Sequence, residues 1–130
     1  MNKEEHIRYW VDTAENDWDI VNTLYDAGKY VYSLFFAHLV LEKLSKAIWV
    51  KDNELNFPPK VHNIVYILEQ TSLELTVEQR KFLVIMNDFQ LEGRYPDYKQ
   101  QIFNLLTKER TDNILSSVRE TREWLLKKLQ

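Results

Sequence analysis

The chain has no cysteine, and only two glycines and three prolines in 130 residues. Without cysteine, disulfides and thiolate metal sites are excluded, and nothing points to an oxidising compartment. Glycine and proline are the common helix breakers, so their scarcity leaves long uninterrupted segments. A basic excess is also missing: the net charge is −3, which argues against a general nucleic-acid binder. Gly28 and Gly93 stand alone, so there is no phosphate-cradling glycine loop, and no serine sits in a nucleophile motif. His38 and Glu42 are spaced i,i+4, but no second such pair accompanies them, which speaks against a di-metal bundle. Neither metal nor cofactor is expected. The opening MNKEEHIRYW is charged and lacks the apolar run of a signal peptide, so a cytoplasmic protein is expected.

What is present is helix. No stretch alternates apolar and polar residues as a strand does. At this length one domain spanning residues 1–130 is expected, burying about two-thirds of the surface its extended chain would expose. The stretch from Tyr30 to Val50, YVYSLFFAHLVLEKLSKAIWV, is apolar on nearly every side when wound at 3.6 residues per turn. Such a helix belongs in a membrane or at the centre of a bundle. His38, Glu42, Lys43 and Lys46 decide for the bundle, because four polar groups within three turns are costly in lipid. His38, Glu42 and Lys46, at i, i+4 and i+8, lie nearly above one another with Ser45 beside them. They read either as an ion pair on a solvent strip or as the lining of a cleft or subunit interface.

The remaining helices follow in order. From Lys3 to Ala27, Ile7, Trp10, Val11, Ala14, Trp18, Val21, Leu24 and Tyr25 keep helical spacing, and Gly28 is placed to end the helix. Pro58-Pro59 breaks the chain after the second helix, and a shorter helix is expected to start in Lys60-Val61-His62-Asn63. Thr76 with Gln79 forms a capping-box pattern, opening a helix with the apolar stripe Val77, Phe82, Ile85, Met86 and Phe89 that ends at Gly93. Pro96 makes Arg94-Tyr95-Pro96-Asp97-Tyr98 a corner. The last helix is expected over about Thr107 to Lys128, with Ile114, Leu115, Val118, Leu125 and Leu129 on its apolar face and Trp124 beside it.

Several of these stretches, in this order, resemble the HEPN domain, a helical domain of prokaryotic proteins that is also found in sacsin. They are Ala14 and Asp17 on the first helix, Gly28-Lys29-Tyr30 at the turn, and Phe35-Phe36-Ala37-His38, Glu42-Lys43 and Lys46-Ala47 on the second. Pro58-Pro59-Lys60-Val61-His62-Asn63 and Arg94-Tyr95-Pro96-Asp97 complete the set. The resemblance implies an all-α, up-and-down bundle of four or five helices that commonly pairs as a dimer. Trp10, Phe35 and Trp49 are candidate dimer contacts in a chain that is 13% aromatic. Many members of the family are ribonucleases that use an arginine followed some residues later by a histidine. This sequence departs from that pattern, since no histidine follows His62. It looks instead like the branch with an Arg-Tyr-Pro corner, linked to nucleotide binding beside a minimal nucleotidyltransferase.

The guanidinium of Arg94 suits bidentate phosphate contacts, and Tyr95 could stack on a base. With Asp97, His38, Glu42, Lys43, Lys46 and His62 they make the candidate nucleotide- or phosphate-binding set. Arg94 is expected to pair with Glu42 when no ligand is bound. The leading expectation is a nucleotide- or RNA-associated module acting with a nucleotidyltransferase, in a toxin–antitoxin pair. The alternatives are a metal-independent ribonuclease, using Arg94 with His38 or Tyr98, and a structural dimerisation module without ligand.

Overall fold

The computed structural model describes residues 1–94 and 106–130, leaving out the side chains of residues 91–94. The described residues form five helices and no strand. They are α1 (Lys3–Asp26), α2 (Tyr30–Asp52), α3 (Ile64–Glu69), α4 (Val77–Arg94) and α5 (Lys108–Lys128). This is the all-α bundle expected from the sequence. None of these helices is long and apolar enough to cross a membrane.

α1 starts on a capping box: Asn2 Oδ1 accepts from the Glu5 amide at 2.8 Å while the Glu5 carboxylate reaches back to the Asn2 amide. It ends on Gly28, at φ +75°, a conformation in which any side chain would be strained. The Gly28 amide donates to the Tyr25 carbonyl and the Lys29 amide to the Leu24 carbonyl, the paired bonds of a Schellman turn. α2 therefore folds straight back along α1, and this pairing is the most extensive among the described helices.

α2 is the centre, packing also against α3, α4 and α5. Leu34, Ala37, Val40, Leu41, Leu44 and Ile48 are buried in the main core with Ala14 and Val21 of α1 and Leu115, Val118 and Leu125 of α5. Its C-terminal carbonyls are held by Lys3, whose Nζ donates to Val50 O at 2.7 Å, Asn53 O at 2.6 Å and Asn56 Oδ1 at 2.9 Å.

Three expectations need correction. α3 begins at Ile64, not within Lys60–Asn63, because the Asn63 side chain accepts from the Tyr66 amide as N-cap and leaves the residues before it in the loop. α4 opens on the Thr76–Gln79 box, but its core face is Leu83, Met86 and Phe89. Val77 and Ile85 are 64% and 51% exposed, because the helix carries apolar residues on two faces and α2 takes only one. Trp49 is buried and donates Nε1 to Gln70 Oε1 at 2.8 Å, so it belongs to the interior of the protomer rather than to a dimer contact.

Candidate functional site

The polar strip of α2 faces inward. His38, Glu42, Ser45 and Lys46 are all buried, which removes the solvent-strip reading. Ser45 is accounted for locally, donating to the Leu41 carbonyl at 2.7 Å. The other three are joined by groups from α1, α4 and the loop before α3.

Glu42 is the hub. Its Oε2 pairs with Lys46 Nζ at 3.2 Å, one turn along the helix. Its Oε1 accepts from His62 Nδ1 at 3.0 Å. The Lys46 ammonium also lies 5.4 Å from the centroid of the Trp10 ring on α1, so the buried cation has a carboxylate and an aromatic face. A buried carboxylate needs such company, because burial without partners costs far more than the bonds return.

His38 is fully enclosed, and its Nε2 lies 3.1 Å from the His62 carbonyl and 3.3 Å from Asn87 Oδ1. Both are acceptors, so Nε2 carries the hydrogen and the ring is the neutral Nε2–H tautomer. The amide of Asn87 is oriented by its own Nδ2, which donates to Asn63 Oδ1 at 3.4 Å. The other ring nitrogen, Nδ1, has no hydrogen-bond partner and lies 3.7 Å from Glu42 Oε1. Burial pushes the imidazole below its ordinary range, against an opposing pull from Glu42 and from the bonds to Asn87 and His62. His38 therefore acts as a neutral clamp on the backbone of the residue whose side chain Glu42 holds. His62 itself is half-exposed, its side chain at 47%, and is the titratable member of the cluster that reaches the surface.

Lys43 lies apart from this cluster. Its Nζ is 2.7 Å from Asp17 Oδ2, a pairing across the α1–α2 hairpin in which the carboxylate is 10% exposed. Arg94 is the last residue of α4, two turns beyond Asn87, or about 10 Å along the axis. The Arg94 side chain, its expected pairing with Glu42, and Tyr95, Asp97 and Tyr98 lie outside the described residues.

The structure thus brings His38, Glu42, Lys46 and His62 together, and adds Trp10, Asn63 and Asn87. Asn87 had a sequence signal: a polar residue on the α4 face that carries Leu83 and Met86. The sequence marks Trp10 as a core or dimer residue and Asn63 as part of the stretch after Pro58-Pro59, but no local spacing joins either to the α2 strip. A groove of about 640 Å³ lies elsewhere, between α1 and the end of α5, with Ile7, Val11, Leu126 and Leu129 in its walls. Among the described residues no three His, Asp or Glu side chains are grouped as metal ligands.

No curated protein and no solved structure matches the chain. A family model, described as the HEPN domain, matches residues 7–129. That span takes in the five described helices except for the first turn of α1, with every residue of the Glu42 cluster, and HEPN domains are generally associated with nucleotides and RNA. By this match the chain belongs to the HEPN domain family.

Proposed function

We propose that the protein is a nucleotide- or RNA-associated HEPN module that works as a homodimer with a minimal nucleotidyltransferase, in a toxin–antitoxin pair, without cleaving RNA itself. The observation that carries the reading is the buried Glu42 network, which fixes both the backbone and the ring of the half-exposed His62. Evolving neutral packing there would be simpler than three ionisable groups around one carboxylate, and an enclosed cluster of titratable groups favours a functional site over a structural one. Arg94 follows two turns after Asn87 on the same helix, and a guanidinium suits bidentate contact with a phosphate. The departure from the ribonuclease pattern, with no histidine after His62, supports a binding role.

A second reading keeps one specific observation. A carboxylate holding Nδ1 of an exposed imidazole is how proton-transfer histidines are positioned, so a metal-independent ribonuclease would use His62 rather than the enclosed His38. Calorimetric titration with ATP and with a short single-stranded RNA separates the readings. Binding is expected, with loss of at least about tenfold in affinity in Arg94→Ala and His62→Ala. RNA cleavage that disappears in Arg94→Ala would establish the enzyme instead.

A further inference from the structure

The outward face of α4 repeats a pattern that closes on itself. Lys81, Val84, Ile85 and Asp88 are spaced i, i+3, i+4 and i+7, which places them on one helix face. All four are exposed, Val84 at 52% and Ile85 at 51%. Among the described residues neither Lys81 nor Asp88 has an ion-pair partner. The centre of the face is β-branched and apolar, one end is cationic and the other anionic.

We infer that this face is a two-fold seam on which a second copy of the chain docks, α4 against α4. The inference rests on the dimeric reading above and names its surface. A two-fold axis perpendicular to the helix and passing between Val84 and Ile85 lays the helices antiparallel. It sets Val84 of one protomer against Ile85 of the other, and Lys81 against Asp88, twice over. An isologous interface must be complementary to itself, and opposite charges placed symmetrically about an apolar centre satisfy that condition. A parallel arrangement would oppose like charges. Val77, 64% exposed, lies on the same face one turn beyond Lys81. Two to three turns of helix fall short of the roughly 800 Å² per partner of a strong interface, so the seam by itself suits a dimer in the micromolar range.

Charge reversal tests both the face and its symmetry. Wild-type mass is followed by light scattering from about 1 to several hundred micromolar. A dimer is expected, weakened at least about tenfold in Lys81→Asp and in Asp88→Lys, because each reversal opposes like charges twice. Mixing the two variants in equal amounts should restore a dimer, since each contact between positions 81 and 88 then joins an acid to a base. The double variant Lys81→Asp/Asp88→Lys should also dimerise. A wild-type protein that stays monomeric overturns the dimeric reading itself. A wild-type dimer that neither reversal weakens, or that the mixture fails to rebuild, overturns this face and leaves dimerisation to another.

Discussion

His38 holds the backbone of His62, and Glu42, on the same helix as His38, holds its ring. Nε2 of His38 donates to the carbonyl of His62, while Nδ1 of His62 donates to Glu42 one turn further along α2. The loop after the Pro58-Pro59 turn is therefore positioned by the central helix rather than by its own sequence. Disturbing any of the three residues should disturb the others.

Removing the hub should be severe. Glu42→Leu leaves the Lys46 ammonium buried without its carboxylate and releases the His62 ring. We expect a loss of about 3–5 kcal/mol in urea unfolding. Adding Lys46→Met removes the orphaned charge, so the double variant should recover a large part of that loss. Additive losses in the two single variants would show that the pair is not coupled.

The enclosed His38 gives stability a definite pH dependence. Its folded-state pKa is depressed by burial, so the unfolded chain takes up this proton more readily than the folded one. The stabilisation is complete above the ordinary histidine value of about 6.5 and is lost as pH falls through it toward the folded value. In that window stability should fall by up to about 1.4 kcal/mol per pH unit from this group. His38→Gln, which keeps a donor for the His62 carbonyl, should flatten that slope. A slope left unchanged in the variant would assign it to another group.

At the first turn, Gly28→Ala should destabilise by about 1 kcal/mol. The cost is conformational, because no atom lies within 4 Å of the added methyl group. Helix content by circular dichroism should not change, since the Schellman bonds remain possible. A neutral effect would mean that the backbone relaxes out of the positive-φ region.

Lys3 should behave as a distant cap. Lys3→Met removes a donor shared by Val50 O, Asn53 O and Asn56 Oδ1, at the end of a different helix. A loss of about 1.5–3 kcal/mol is expected, with faster amide exchange near residues 50–53 rather than in α1.

The helices were legible where one local signal decided them. The i, i+3, i+4 pattern of Ile7 to Tyr25, the glycine after it, and the Thr76–Gln79 box all depend on neighbours in sequence. The central place of α2 was also legible, because a helix apolar on all sides has nowhere else to go. The facing of α4 was not. Leu83 and Ile85 are equally apolar, and only packing against α2 selects the first. In the site, the strip His38–Glu42–Lys46 was visible from its four-residue spacing, while its inward orientation was not. Its links to Trp10, Asn63 and Asn87 join residues far apart in sequence, which no local periodicity encodes.

The α1–α2 hairpin also sets an order of events in time. Only Ala27, Gly28 and Lys29 separate two helices that pack together more extensively than any other described pair, so closing that loop has little entropic cost. Contacts such as those of Val21 and Leu34 lie close to the turn and can form before α5 is near. The folding transition state should therefore be polarised toward this hairpin: truncating Val21 or Leu34 should chiefly slow folding, and truncating Val118 or Leu125 should chiefly speed unfolding. The clamp on His62 would then close late, on a helical pair already assembled.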